Sequence, residues 1–224
     1  MKICLIGFEE RARLMQKWAS PGVEVQAKPR HKGPSSIESL YDEYRITPEV
    51  FELVTQAERE GFDAVIASCF ADPGVDAARE LVSIPVIGQG ESAMLVAASL
   101  GYGFSIVTSG HAIAGPMRHQ ARRVGVEGKL CSVRAIGVPV KEIRLGKEET
   151  FQKVVAVSRR VLADDGADTL VLGCVSLSML AERLQSELDV PVVNCLRASL
   201  KMAELLVGCG LCHSKRAYPT PPNL

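Results

Sequence analysis

Two seven-residue stretches constrain the fold of this chain more than any other feature. Asp63-Ala-Val-Ile-Ala-Ser-Cys69 and Asp168-Thr-Leu-Val-Leu-Gly-Cys174 share one pattern: an aspartate, four residues suited to a buried strand, one small residue, then a cysteine. A helix-stopping glycine precedes each, Gly61 and Gly166. A second short strand opened by proline follows each, Ile84-Pro85-Val86-Ile87 and Val190-Pro191-Val192-Val193. Continuous apolar runs of this length, alternating with helical segments, belong to parallel sheets covered on both faces. The repeat therefore predicts an α/β fold in which one unit is used twice, as two lobes related by a pseudo-twofold axis.

The rest of the chain fits this plan. Lys2 to Gly7 reads as a first strand, Arg11 to Trp18 as a helix and Val23 to Val25 as a short strand. Residues 28–45 are polar and loop-like, and a stretch of this length is often a functional flap. Thr47-Pro48-Glu49 combines a capping hydroxyl, a first-turn proline and a first-turn acid, which predicts a helix start there and a stop at Gly61. Helices are expected over 73–81, 91–100, 117–123 and 148–163, with Phe151, Val154, Val155, Ser158 and Leu162 at helical spacing in the last. Phe104 to Thr108 and Leu130 to Val138 read as strands. The expected organisation is a first lobe over 1–101, a second over 102–207 whose last helix packs on the first, and a tail over 208–224 whose proline-rich end, 218–224, is expected to be disordered. The small-residue helix 91–100 offers a face for a homo-oligomer.

In parallel α/β sheets ligands bind at the carboxyl ends of the strands, and both repeated cysteines fall there. A buried cysteine is usually a small hydrophobe. These two differ by sitting at strand ends, each with a helix start expected within a few residues: Asp72 as cap and Pro73 as first residue after Cys69, Ser176 as cap after Cys174. A helix N-terminus lowers a nearby thiol's pKa and offers N–H groups to an anion. One thiol on either side of a bound molecule suits inversion of a carbon centre, where one group removes a proton from one face and another delivers a proton to the opposite face.

Further residues carry a family likeness. Gly61-Phe-Asp-Ala-Val-Ile-Ala-Ser-Cys-Phe-Ala-Asp-Pro-Gly74, Asp76-Ala-Ala-Arg79, Ile84-Pro-Val-Ile-Gly88, Leu100-Gly101 with Phe104 to Thr108, and Leu172-Gly-Cys174 resemble the hydantoin racemase branch of the aspartate/glutamate racemase superfamily. Pro34-Ser-Ser-Ile37 and Tyr41-Asp-Glu43 are similar to the flap of that branch. The resemblance runs from about residue 33 to 207. It implies a cofactor-independent racemase or epimerase with Cys69 and Cys174 as catalytic thiols and no metal. It also implies a substrate held by Ser68, Phe70, Gly173 and Val175 beside the thiols, by the hydroxyls of Thr108 and Ser109, and by Tyr41 of the flap. The chain departs from the family at Gly7-Phe8-Glu9, where an Asn-Pro-Asn type motif is usual. It departs again at Gly173-Cys-Val-Ser-Leu-Ser178, which lacks the Thr-His pair of the glutamate racemase branch.

Composition narrows the classes. The 224 residues carry 26 basic and 26 acidic side chains, so net charge argues for neither nucleic acid nor an anionic membrane as partner. No apolar run approaches the roughly 20 residues of a membrane span, and Met1 to Gly7 does not read as a signal peptide. A cytoplasmic protein with a small-molecule substrate is expected, its seven cysteines reduced. Cys209-Gly-Leu-Cys212-His213 spells a haem-attachment pattern and half a zinc site, yet it occurs once and without an export signal, so it reads as an inert terminus. The favoured substrate is a 5-substituted hydantoin or allantoin. The alternatives are an amino-acid racemase, a decarboxylase or isomerase of the same superfamily, and a non-catalytic binding protein on the same two lobes.

Overall fold

The computed structural model describes residues 1–223. The first half runs β1 (Lys2–Ile6), α1 (Glu9–Trp18), β2 (Glu24–Lys28), α2 (Leu40–Arg59), β3 (Ala64–Ala67), α3 (Val75–Leu81), β4 (Val86–Gly88) and α4 (Gln89–Leu100). The second half runs β5 (Phe104–Thr108), α5 (Ala114–Val124), β6 (Leu130–Ala135), α6 (Val140–Ile143), α7 (Glu148–Asp164), β7 (Thr169–Leu172), α8 (Ala181–Leu188), β8 (Val192–Val193) and α9 (Cys195–Gly208). Two four-stranded parallel sheets result, ordered β2-β1-β3-β4 and β6-β5-β7-β8. Among the described residues no helix is long and apolar enough to cross a membrane.

The repeat extends to individual hydrogen bonds. The aspartate that opens each motif pins the neighbouring strand: the Asp63 carboxylate accepts from Lys2 N–H at 2.6 Å, and that of Asp168 from Tyr102 N–H at 2.8 Å. Val65 N–H donates to the Pro85 carbonyl and Leu170 N–H to that of Pro191, both at 2.9 Å. Each motif closes on the central strand, Ser68 N–H on Ile6 O at 3.1 Å and Gly173 N–H on Val107 O at 2.8 Å.

Three apolar layers hold these sheets. Val50, Val54 and Ala57 of α2 and Val75 and Ala78 of α3 cover the outer face of the first sheet. Phe151, Val154 and Val161 of α7 and Leu184 of α8 cover that of the second. The inner faces share one core, in which Leu5, Ile66 and Ile106 meet side chains of α1, α4, α5 and α9. Each fully buried Leu or Ile contributes about 1.5–3 kcal/mol, so this shared core ties the lobes together. The terminal helices cross over: α9 lies against β3 and β4, α4 against β7 and β8, and the two pack on each other.

Four expectations change. The helix predicted to start at Thr47 starts at Leu40, capped by Ser39, whose hydroxyl accepts from Asp42 N–H at 3.2 Å. The Ser-x-x-Asp box and the apolar stripe Ile46, Val50, Val54 outweigh Pro48, whose ring lies on the exposed side. The helices after the cysteines begin later than expected, at Val75 and Ala181, and the chain first makes tight turns, Asp72 N–H to Cys69 O at 3.1 Å and Leu177 N–H to Cys174 O at 2.9 Å. Most of the small-residue face of α4 is consumed within the chain, because Ala93 and Ala97 let α9 and α5 approach closely. The proline-rich end begins docked rather than free: Tyr218 Oη accepts from Arg79 Nη1 at 3.3 Å, and just ahead of it Lys215 Nζ donates to the carbonyls of Arg79 and Val82, Cys212 Sγ to Ser83 O, and His213 Nε2 accepts from Val86 N–H at 3.0 Å. Among the described residues no cluster of three His, Cys, Asp or Glu groups could hold a metal ion.

Candidate active site

With the strand order β2-β1-β3-β4, the loops after β1 and β3 leave the sheet in opposite directions and open a crevice at its carboxyl edge. The second sheet does the same after β5 and β7. The two crevices form one cavity of ≈ 520 Å³, which Cys69 enters from one lobe and Cys174 from the other. Ser68, Phe70, Ser109, Gly173 and Val175 also line it.

Two of the residues expected here lie elsewhere. Thr108 is fully buried under the Cys174 turn, its hydroxyl donating to Gly173 O at 3.1 Å, because it belongs to β5 rather than to the loop beyond. Tyr41 is 71% exposed: the early start of α2 turns its ring outward, beside Arg45. The flap reaches the cavity instead through residues 30–37, with Leu40 and Glu43 of α2. The buried Glu49 carboxylate anchors it, accepting from the N–H groups of His31 at 2.6 Å and Lys32 at 2.9 Å. Arg144 holds its far end, donating to Ser35 O at 3.1 Å across the lobes.

Close backbone approach fixes both turns. A Cβ at Gly173 would collide with Ile106 and press on Thr108 and Met117, and one at Gly90 would strike the Phe70 carbonyl. Asp72, expected to cap α3, sits at φ 54° and caps α4, accepting from Gly90 N–H at 2.9 Å and Glu91 N–H at 2.7 Å. Gln120 of α5 reaches across to donate to Phe70 O at 2.9 Å and to Asp72 at 2.7 Å. Ser176 caps no helix and instead receives an N–H of Arg11 at 3.4 Å.

The electrostatics also differ from the expectation. Burial outweighs any lowering by the turns and raises both thiols, Cys69 to about 12. Their surroundings are unequal. Cys69 has one N–H directed at it, from Ala71, and the charges of Asp72 and Glu43 oppose its ionisation. Cys174 has the N–H groups of Ser176 and Leu177, the Ser176 hydroxyl and the cation of Arg11, all favouring its thiolate. Burial lifts Asp72 to about 7 and raises Glu43. Among the described residues the N–H groups of Phe70 and Val175 have no backbone acceptor.

Arg11, Arg144, Gln120, His31 and His119 also line the cavity, and no local sequence pattern singles them out. The one available signal was position: Arg11 stands four residues beyond Gly7, in the first turn of the helix leaving the central strand.

Comparison with known proteins agrees with this geometry. Residues 8–203 match the family model described as Asp/Glu/hydantoin racemase. A hydantoin racemase of Pseudomonas sp. (strain NS671) is 33% identical over 96% of this chain and 86% of its own length. One of Rhizobium meliloti is 36% identical over 83% of this chain and 78% of its own. The solved allantoin racemase from Klebsiella pneumoniae superposes with a TM-score of 0.94 at 34% identity, covering 100% of this chain and 96% of that one.

Proposed function

Because the chain belongs to the Asp/Glu/hydantoin racemase family, and so is a racemase, we propose that it inverts C5 of a 5-substituted hydantoin, allantoin included, by proton transfer between Cys69 and Cys174. One observation carries this reading: each copy of the repeat ends in a thiol, and both thiols open on one cavity. A pocket built only to bind has no need of two matched thiols. The two ligands named among the relatives share the same ring, and differ in the substituent at C5.

The ring explains how so simple a site suffices. The C5 hydrogen is acidified by the adjacent C4 carbonyl, so a thiolate can remove it without an organic cofactor. The electron pair of the broken C–H bond moves onto the C4 oxygen, giving an enolate that the N–H groups of Phe70 and Val175 can stabilise. The opposite thiol then delivers its proton to the other face of C5, and the negative charge ends on that sulfur. The roles exchange for the other enantiomer, which is what a repeated half-site provides. Cys174, with two N–H groups, a hydroxyl and a guanidinium about it, is the sulfur that starts as thiolate, and Cys69 the one that starts protonated.

We further place the enzyme in the cytoplasm, where seven unpaired thiols would stay reduced. We expect a homo-oligomer, to which the exposed Leu95, Leu100 and Leu205 offer apolar surface.

The test is isotope exchange in deuterated water. Cys69→Ser and Cys174→Ser should each lose racemisation by at least 10³-fold, consistent with removal of a group that acts in the transition state. Each should still exchange the C5 hydrogen of one enantiomer, a different one for each variant. Full racemase activity in either variant would eliminate the two-thiol mechanism.

A further inference from the structure

A negative charge that travels from one sulfur to an enolate oxygen and on to a second sulfur is stabilised along its path by a cation within reach of all three positions. We propose that Arg11 is this counter-ion, its guanidinium held between the two thiol turns; the assignment deepens the racemase reading and rests on it. Arg11 Nη1 donates to Ser68 Oγ at 3.5 Å and Nη2 to Ser176 Oγ at 3.4 Å. Ser68 immediately precedes Cys69, and Ser176 is the second residue after Cys174. One side chain thus spans both halves of the repeat.

Both contacts are long, and both partners are neutral hydroxyls. Among the described residues Arg11 has no carboxylate within ion-pair distance, whereas Arg13 pairs with Glu9, Arg123 with Asp76 and Lys32 with Glu52. A guanidinium drawn out of water in this way is costly without an anion. The nearest groups able to supply one are thiols: Cys174, Cys195 and Cys69 favour its charge, while burial and the like charge of Arg144 oppose it. Arg144 shares the Phe8 ring with Arg11, each 5.1 Å from its centroid, so the local field is more positive still. Asp72 and Glu43 lie toward Cys69, and Cys195 is buried beside Ser178 behind Cys174. An arginine stays protonated under this pressure. Its role as counter-ion is to favour whichever sulfur or oxygen is negative, and Cys174 most, through Ser176.

Alkylation reads this directly, without turnover. In a Cys69→Ser background, iodoacetamide modification of Cys174 in the full chain is followed by peptide mass spectrometry from pH 6 to 10. The uncharged reagent avoids a direct interaction with the arginine. Arg11→Gln should slow modification about tenfold at pH 7.5, moving the midpoint up by about one unit, the effect of deleting one nearby opposite charge. Arg11→Lys should recover most of that shift, which a purely structural role would not predict, and it carries the test where Arg11→Gln does not fold. In the native background Arg11→Gln should lower kcat more than it raises KM. Superimposable alkylation profiles for the Gln, Lys and Arg proteins would overturn the assignment. So would a rise in KM alone, since that would make Arg11 a substrate-binding residue only. Because alkylation needs no substrate, failure to racemise any hydantoin would refute the proposed reaction while leaving this result readable.

Discussion

Gln120→Leu should separate a self-supporting Cys69 turn from one held across the lobes. The side chain is buried on α5, and its single Nε2 serves two acceptors in the first lobe, Phe70 O at 2.9 Å and Asp72 Oδ2 at 2.7 Å. Leucine is close in volume, so little cavity is opened and the loss is mainly of hydrogen bonds. A net bond to a buried carbonyl contributes about 1 kcal/mol and one to a charged group about 1.5–3. Asp72 keeps the N–H groups of Gly90 and Glu91 and, with its pKa at about 7, can take up a proton to limit the damage. The expected cost is therefore about 2–4 kcal/mol at pH 8 and less at pH 5. For a chain of 224 residues this corresponds to a drop in Tm of roughly 5–15 °C. Urea unfolding at the two pH values measures it. kcat should fall at least tenfold through displacement of Cys69, whereas Cys174 alkylation should not change. A stability loss below about 1 kcal/mol with kcat intact would show that water replaces Gln120 and that the turn holds itself.

Two further outcomes follow from the same map. Asp72 has a folded pKa of about 7 against 3.8 unfolded, so its contribution is present below about pH 4 and lost as pH rises through 7; His213, at about 4 against 6.5, contributes above 6.5 and loses it as pH falls through 4. These slopes oppose each other between pH 4.5 and 6.5, so His213→Ala should expose a stability that declines with rising pH by at most about 1.4 kcal/mol per unit; pH-independent urea midpoints in that variant would contradict the pairing. Glu49→Gln swaps a double acceptor under the flap for an amide that can satisfy one of the two N–H groups, and should raise KM several-fold in steady-state kinetics with a smaller change in kcat, an unchanged KM showing that the flap does not rely on this anchor.

What the sequence disclosed, and what it hid, divides along a physical line. The strands of the repeat were legible because a strand buried on both faces has little choice of residues, and the thiols were legible because they end those strands. The start of α2 is not legible because Thr47-Pro48 is a good local start signal, and only the burial of Ile46 beside Gly33 of the flap, one turn before Val50 packs on the sheet, shows that the helix runs through it. The outward position of Tyr41 is hidden for the same reason, since seven further residues of helix reorient the flap. Asp72 looked like a cap for the helix next in sequence. Its left-handed backbone turns it to the helix next in space, a fact no local pattern contains. Arg11, Arg144 and Gln120 reach the site from the first helix or from the opposite lobe, so their relation to the cysteines exists only in three dimensions.

The repeat and the chemistry make opposite demands on the two sulfurs. Duplication equalises them: matched ladders place Cys69 and Cys174 at equivalent strand ends, and each thiolate would discourage the other. Proton transfer in the proposed mechanism needs them unequal at any instant, one charged and one not. The inequality comes from residues that break the repeat. The first lobe sets the acids Asp72 and Glu43 toward Cys69, and the turn after Cys174 supplies the additional N–H, the Ser176 hydroxyl and the contact with Arg11. Each difference favours charge on Cys174, so they reinforce one another in fixing the resting state. The bias must stay small enough for the charge to cross, because the reverse reaction starts with it on Cys69. Arg11 suits that requirement by reaching a hydroxyl beside each sulfur rather than forming an ion pair with one: it stabilises the charge along its path and adds little to the barrier between the ends.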